Sequence, residues 1–259
     1  MPVNWSGMTF TWLPRAETMA APCFHCADIP EPGAAAILSR NESRHAAASR
    51  RLRAGDQVVL IDGRGGRARG RIEAISNLGV SVSVSCLERA PPPRPLVAVA
   101  SALPKGERFR TLLDMLGQLA VAQFIPLECS RSVVRTGASA MTRGRRILLE
   151  ACKQSGNPWL PELGEPDTPG AVVDAWRRTG MRVLLAHPDA GGATARMGSA
   201  GAYGILVGPE GGFTEREVDV MVSRGAAPLS LGGNILRTET VAVALVSAVR
   251  LHNGVFDCS

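Results

Sequence analysis

The residues from Tyr203 to Asn253 constrain the fold most, because they contain two similar units in which an apolar run meets glycines and a helix start. In the first unit, Ile205-Leu206-Val207 precedes the turn Gly208-Pro209-Glu210-Gly211-Gly212. Thr214 and Glu217 then have the spacing of a capping box. This pattern predicts a buried strand, a tight turn and a helix that begins at Thr214.

The second unit repeats the arrangement with Leu229-Ser230-Leu231 and a turn from Gly232 to Arg237. We expect the Thr238 hydroxyl to cap a helix from about Glu239 to His252. That helix is apolar almost all round, which indicates burial against more than one neighbour, with a second subunit as a candidate. Gly254 stands where a C-terminal cap is expected.

The two glycine-rich turns predict one shared pocket, because ligands bind at the carboxyl ends of strands in parallel α/β sheets. Glycine also lets the backbone approach a ligand closely. Neither turn has a phosphate-binding pattern, neither G-x-x-x-x-G-K-[ST] nor G-x-G-x-x-G. The ligand is therefore expected to be a nucleoside without phosphates. The alternative is that the glycines only make tight strand-to-helix turns.

Several ordered motifs resemble one known family. The sequences GPEGG-F-T-x-x-E and L-G-x-x-I-L-R-T-E-T, with LPKGER at 103–108, RSVV at 131–134 and EACKQSG at 150–156, are similar to 16S ribosomal RNA uridine-N3 methyltransferases. These enzymes belong to the SPOUT superfamily of trefoil-knotted methyltransferases. The resemblance covers roughly Cys23 to the C-terminus.

This resemblance implies a fold, a cofactor and partners. The fold is α/β, with a C-terminal knotted, mostly parallel sheet covered by helices on both faces and preceded by a small PUA-like β-barrel. Threaded loops would bind S-adenosyl-L-methionine, with a second subunit packed against them as a homodimer, and the substrate would be ribosomal RNA or the small ribosomal subunit. The cofactor-binding residues expected are Leu206, Val207, Gly208, Glu210, Gly211, Gly212, Leu231, Gly232, Ile235, Leu236 and Thr238.

Methylation at N3 of uracil requires stabilisation of the negative charge that develops over N3, O2 and O4. Arg237 is the first candidate, since it lies in the second turn and carries a fixed charge. The alternative is a structural salt bridge from Arg237 to Glu239 or Glu210. Either carboxylate could instead accept a proton or bind the cofactor, so the sequence leaves the general base undecided.

The chain divides by pattern into four segments. Residues 1–21 form an irregular extension, 22–90 a β-barrel RNA-binding domain, 91–95 a proline-rich linker and 96–259 the methyltransferase domain. The barrel prediction rests on the apolar run Gln57–Ile61 and on the alternating runs Arg69–Ile75 and Val80–Cys86, which are expected to form a small antiparallel barrel. Strands and helices alternate after the linker, for example a helix near 107–119 and a strand at 182–186.

Arginines are concentrated near the start of the barrel region. Nine occur between Arg40 and Arg71, against three acidic residues, whereas the whole chain has a net charge of +6. Phosphate contacts from such residues supply most sequence-independent RNA affinity. The RNA-binding residues expected are Arg40, Arg44, Arg50, Arg51, Arg53, Arg131 and Arg135. The alternative is a solvated basic face.

Other functional classes receive little support. Six cysteines lack disulfide-scaffold spacing, and the Cys23–Cys26 pair has no second pair at zinc-finger spacing, so we expect no metal. No apolar run is long enough to cross a membrane, and the chain is expected to be cytoplasmic.

Four positions depart from the family pattern. These are Met115, Gln118, Asn157 and Asn234, where a lysine, a glutamate and two arginines are usual. The alternatives are therefore a diverged paralogue that acts on another uridine or RNA, or an RNA-binding protein of the same fold without turnover. A nucleotide-dependent oxidoreductase is disfavoured by the missing phosphate-binding pattern.

Overall fold

The computed structural model describes residues 21–77, 79–134, 136–188 and 197–254. It contains two compact units. The first comprises the described residues up to Ile61 together with Arg67–Glu88, and the second comprises Asp62–Gly66 and the described residues from Arg89 onward. The extension at 1–21 lies, but for Ala21, outside the described residues. The four predicted segments stay a prediction, and the turn 62–66 groups with the second unit rather than with the barrel region.

The first unit is built on a five-stranded sheet in the order β1-β3-β4-β5-β2. Its strands are β1 (Cys23–His25), β2 (Ala35–Ile37), β3 (Gln57–Ile61), β4 (Gly66–Ser76) and β5 (Gly79–Arg89). Buried and exposed residues alternate along β4 and β5, as the period-two pattern predicted. The expectation of a wholly antiparallel sheet is wrong, because β1 pairs with β3 in parallel. The connection between them contains β2 and a helix, which gives the length a parallel crossover needs.

That helix, α1 (Arg40–Arg44), was not predicted from the sequence. The Ser39 hydroxyl caps it by accepting from the backbone N–H of Glu42 at 3.3 Å. One turn of π-helix, His45–Ser49, follows directly. The strand-and-turn interpretation of this region was therefore incomplete, since five residues are too few for helical periodicity to show.

The second unit contains a six-stranded sheet in which every pair is parallel, in the order β11-β9-β10-β6-β7-β8. The strands are β6 (Leu96–Ser101), β7 (Gln123–Pro126), β8 (Glu162–Leu163), β9 (Arg182–Ala186), β10 (Ala202–Val207) and β11 (Ala227–Leu229). The helices are α2 (Glu107–Gln118), α3 (Ala138–Ser155), α4 (Pro169–Arg178), α5 (Glu215–Ser223) and α6 (Thr238–His252). The α/β prediction is confirmed for this unit.

The strand order places three carboxyl ends side by side. Strand β10 lies between β6 and β9 although it follows both in sequence, and β11 lies beyond β9. The register pairs Leu206 with Leu185 and Leu229 with Ala186, so β9, β10 and β11 end near one another. The turns that follow these strands therefore meet at one edge of the sheet. The trefoil knot stays a prediction.

The two predicted caps differ in outcome. Thr214 caps α5 in a complete capping box with Glu217, so the helix itself begins at Glu215. The expected Thr238 cap is wrong, because α6 begins one residue earlier, with Arg237 at the N-cap position. The Thr238 hydroxyl donates instead to the Gly208 carbonyl at 3.2 Å. Gly254 adopts φ 71°, as expected for a residue that ends a helix.

Candidate active site

The carboxyl ends of β9, β10 and β11 border a cavity of about 600 Å³. Both glycine-rich turns contribute to its wall. The residues proposed from sequence that line it are Val207, Gly208, Glu210, Gly211, Gly212, Leu231, Gly232, Ile235, Leu236, Arg237 and Thr238. The hydrogen bond from Thr238 to Gly208 joins the two turns directly.

Leu206 and Glu239 do not line this cavity. Leu206 is fully buried in the core beside Trp176 and Leu185, because successive side chains of β10 point to opposite faces of the sheet. Glu239 is only 7% exposed, and its Oε2 atom has no hydrogen-bond partner within the part of the chain that the structure describes. The predicted contribution of Leu206 was that of its backbone and stays a prediction, whereas the Glu239 carboxylate is buried outside the cavity in which the sequence suggested a role for it.

Several cavity residues were missed. Ala186 ends β9, His187 and Pro188 follow it, Ser230 follows β11, and Arg108 lies in the first turn of α2. The strand predicted at 182–186 ends where expected. Since ligands bind at the carboxyl ends of parallel strands, the residues that follow it could have been predicted to line the cavity. Arg108 ends the LPKGER motif at 103–108, but nothing in the sequence placed it at the cavity, because its approach depends on how α2 packs.

Backbone conformation explains why glycine occupies the key turn positions. Gly212 and Gly232 have φ values of 70° and 111°, which other residues rarely adopt. A Cβ atom added at either would meet nothing within 4 Å, so open space borders the bare backbone. At Gly208, an added Cβ would lie 3.0 Å from the Phe213 ring. The turns thus present accessible main-chain polar groups to the cavity.

Three arginines and one carboxylate are among the charged residues of the cavity wall. Arg108 Nη1 forms an ion pair with Glu210 Oε1 at 2.6 Å. Arg131 Nη1 donates to the carbonyls of Gly211 and Phe213 at 2.9 and 3.4 Å. Arg237 forms no ion pair with any residue that the structure describes, so its alternative role as a salt bridge to Glu210 or Glu239 is not observed.

Glu217 connects the first turn to the segment after β7. Its carboxylate accepts from the N–H groups of Ser130 and Thr214 at 2.8 and 2.7 Å. Partial burial raises the pKa of Glu217, but these hydrogen bonds outweigh burial and hold the pKa below its usual value. Burial and the nearby Glu217 charge raise the pKa of Cys129 to about 12, so this thiol stays protonated at neutral pH.

Replacing Glu217 with glutamine should lower the free energy of unfolding at neutral pH by about 1 kcal/mol, because a neutral amide replaces the charged carboxylate that accepts from Ser130 and Thr214. Because the folded-state pKa is depressed, this contribution is present above the unfolded pKa and is lost as pH falls through the folded one. Denaturant unfolding from pH 7 to pH 3 should show the difference between wild type and variant shrinking. Glu215→Gln, an exposed change in the same helical turn, is the control and should show no such trend.

The arginines proposed to bind RNA have different surroundings. Arg40, Arg44, Arg50, Arg51 and Arg53 are all exposed on the first unit. Arg131 lies in the second unit and bonds to the first glycine-rich turn. Arg135 lies outside the described residues. No group of three or more potential metal ligands occurs among the residues described, and none of their helices is long and apolar enough to cross a membrane.

Comparison with known proteins defines the class. Residues 91–250 match the model of an RNA methyltransferase domain, and residues 38–85 match that of an RNA methyltransferase PUA domain. The chain thus has the two domains of an RNA methyltransferase that carries a PUA domain. The predicted PUA-like character of the first unit is confirmed.

The chain belongs to the ribosomal RNA small subunit methyltransferase E family. It is 32% identical over 253 residues to the protein of that name from Mycobacterium bovis, covering 93% of this chain and 95% of the relative. The Neisseria gonorrhoeae enzyme of that name, bound to S-adenosyl methionine, superposes with a TM-score of 0.83 at 25% identity, covering 89% of this chain and 97% of that one. A Legionella pneumophila methyltransferase with bound cofactor SAM gives a TM-score of 0.79 at 27% identity, with coverage of 89% and 97%.

The structure shows the surroundings of three of the four residues that depart from the family pattern. Asn157 Nδ2 donates to the carbonyls of Trp159 and Gly117 at 2.8 and 3.2 Å, so it joins the ends of α3 and α2. Gln118 donates to Asp114 one helical turn away. Asn234 lines the cavity, where it leaves one cation fewer than an arginine would provide. Nothing in the structure explains Met115.

Proposed function

We propose that the chain transfers the methyl group of S-adenosyl-L-methionine to N3 of a uridine in small-subunit ribosomal RNA. The observation that carries this proposal is the cavity of about 600 Å³ shared by the two glycine-rich turns. Its volume lies within the range of roughly 300–1,000 Å³ typical of cofactor sites. The family membership and the cofactor-bound structures of similar proteins support the same conclusion.

The cavity fits the proposed cofactor chemically. Main-chain groups at Gly212 and Gly232 border open space and can hydrogen-bond an adenosine, while the apolar side chains of Leu231 and Val241 can contact its base. The bound cofactor would supply an electrophilic methyl group. The protein has to orient it in line with the uracil nitrogen and exclude water.

The charges of the cavity wall suit an anionic substrate better than they suit the cofactor. S-Adenosyl-L-methionine carries a positive sulfonium, whereas three of the wall residues are arginines. Like charges would repel a cationic ligand, so we assign Arg237, which has no ion-pair partner among the described residues, to the RNA side. There it would face the uracil oxygens as negative charge develops during loss of the N3 proton.

Glu210 is the carboxylate best placed to accept that proton, because it lines the cavity and Glu239 does not. Its Oε1 atom is already held by Arg108 in an ion pair. We therefore expect stabilisation of the uracil anion by Arg237 to contribute more of the rate enhancement than proton removal does.

We also propose a homodimer formed through the second unit. Helix α6 has no fully exposed residue between 241 and 250, although several of these side chains are only half-buried within one chain. Ile235, at the cavity, is 98% exposed, which is unusual for a large apolar residue. A second copy packed against this face would cover both features.

The experiment combines labelled S-adenosyl-L-methionine, the purified protein and small ribosomal subunits that lack the modification, followed by mapping of the methylated base. We expect one uridine to be labelled at N3, a position whose methylation blocks reverse transcription. Naked 16S RNA in parallel shows whether the assembled subunit is required. Cofactor binding without labelling of any RNA would favour a non-catalytic RNA-binding protein, an alternative that Asn234 in the cavity wall makes relevant.

A further inference from the structure

The segment Cys129–Ser132, which follows β7, contacts the first glycine-rich turn at two places. Arg131 donates to the carbonyls of Gly211 and Phe213. The backbone N–H of Ser130 donates to Glu217, the residue that completes the capping box of α5. The partners are more than 79 residues apart in sequence, at separations of 80, 82 and 87, so these contacts are tertiary.

We propose that Arg131 is a positioning residue that holds the first glycine-rich turn in its cofactor-binding conformation. This role rests on the proposed function, since it concerns the site assigned to S-adenosyl-L-methionine. Arg131 acts through the backbone of the turn and is not a catalytic residue. It replaces the role in RNA binding that the sequence suggested for this side chain.

The turn needs such support because of its composition. Gly211 and Gly212 have more conformational freedom than other residues, and Gly212 adopts a left-handed conformation. Within the turn, Gly212 N–H bonds to the Pro209 carbonyl at 2.8 Å. Arg131 fixes the carbonyls on either side of Gly212, one residue before it and one after it. The turn is thereby preorganised, and less order has to be gained when a ligand binds.

Glu217 also holds the segment Cys129–Ser132 in place. One of its carboxylate oxygens accepts from Ser130, and the other accepts from the N–H and hydroxyl of Thr214. The segment containing Arg131 is therefore attached to the start of α5 as well as to the turn. Ser132 reinforces its local conformation, since its hydroxyl accepts from the Cys129 N–H at 3.2 Å. Arg131 thus approaches the turn from a fixed backbone.

The test compares Arg131→Ala, Arg131→Lys and the control Arg216→Ala in the full-length protein. Arg216 is exposed on α5 and makes no ion pair with a described residue, so the control removes the same charge nearby. We expect Arg131→Ala to raise the Kd and KM for S-adenosyl-L-methionine about tenfold, as loss of a charge-assisted hydrogen bond would. The kcat at saturating cofactor should stay within about twofold, and lysine should restore part of the affinity.

Amide hydrogen exchange without ligand supplies an independent measurement. Exchange at 211–213 should accelerate in Arg131→Ala and remain at the wild-type rate in Arg216→Ala. Unchanged exchange and unchanged cofactor Kd in Arg131→Ala would overturn the inference, as would a loss of RNA affinity alone. A wild-type protein that binds no S-adenosyl-L-methionine would instead defeat the proposed function, and the exchange comparison would still decide whether Arg131 holds the turn.

Discussion

Replacing Arg237 with alanine should lower the rate of methyl transfer by about 10²- to 10³-fold and leave the affinity for S-adenosyl-L-methionine unchanged. This is the usual effect of removing a group that stabilises developing negative charge in a transition state. Uracil N3 becomes nucleophilic only as such charge develops. A fixed guanidinium near O2 or O4 would lower that barrier without contacting the cofactor.

The surroundings of Arg237 favour this role over a structural one. It is exposed, it lines the cavity, and it is unpaired among the described residues, whereas Arg108 and Arg131 already bond to protein groups. Its backbone is fixed, because it is the N-cap residue of α6 and the following residue, Thr238, bonds to Gly208. The side chain therefore starts from a rigid position next to both turns.

Single-turnover methylation of unmodified subunits and calorimetry with the cofactor test this prediction together. Arg110→Ala is a suitable control, since Arg110 is an exposed arginine of α2 that does not line the cavity. Arg237→Lys should retain an intermediate rate, because it keeps the charge but loses the planar fork. Full turnover in Arg237→Ala would remove Arg237 from the mechanism, and loss of cofactor binding would assign it to the cofactor site.

Local sequence patterns were sufficient to predict the strands and helix starts around the cavity. The strand at 182–186 and the capping box at Thr214 were predicted correctly, because apolar runs and cap spacing depend on neighbouring residues. The two glycine-rich turns also met at one cavity, as expected for adjacent strands of a parallel sheet. Because ligands bind at the carboxyl ends of parallel strands, the positions of the two motifs were enough to predict where the cavity lies.

The sequence motifs did not show which of their side chains face the cavity, because that depends on the direction of each side chain. Glu239 follows Thr238, but one residue turns an α-helix by about 100°, so the two side chains face different surroundings. Thr238 reaches the first turn, while Glu239 is buried away from the cavity. Leu206 and Val207 differ for the analogous reason in a strand. The predicted start of α6 was one residue late, so the Thr238 hydroxyl was expected to cap the helix, whereas it donates to Gly208.

Long-range contacts were the second limit. The parallel pairing of β1 with β3, the Arg108–Glu210 ion pair and the bonds from Arg131 to the first turn join residues far apart in sequence. No spacing rule identifies such partners. An arginine that bonds to main-chain carbonyls and one that binds a phosphate look the same in a sequence, so the sequence suggested RNA binding for Arg131 and gave no sign of its bonds to the turn.

Neutralising Arg50, Arg51 and Arg53 together by substitution with glutamine should weaken RNA binding roughly 10- to 50-fold at physiological salt. Each phosphate contact with single-stranded RNA contributes about 0.7 to the slope of log affinity against log salt, so the slope should become shallower by about 2. All three side chains are exposed, and Arg51 adopts an uncommon φ of 52°, which glutamine can retain about as well as arginine. Binding measured from 50 to 300 mM salt gives both quantities.

The matched control neutralises Arg177, Arg178 and Arg216, three exposed arginines of the second unit, and produces the same change in net charge. If net charge alone governed association, both triple variants would weaken binding equally, because long-range attraction depends on total charge. A local phosphate-binding surface instead predicts that only the first variant loses affinity and slope. If both triple variants lost RNA affinity equally, or if RNA binding by the wild type did not depend on salt, Arg50, Arg51 and Arg53 would be only a solvated basic surface.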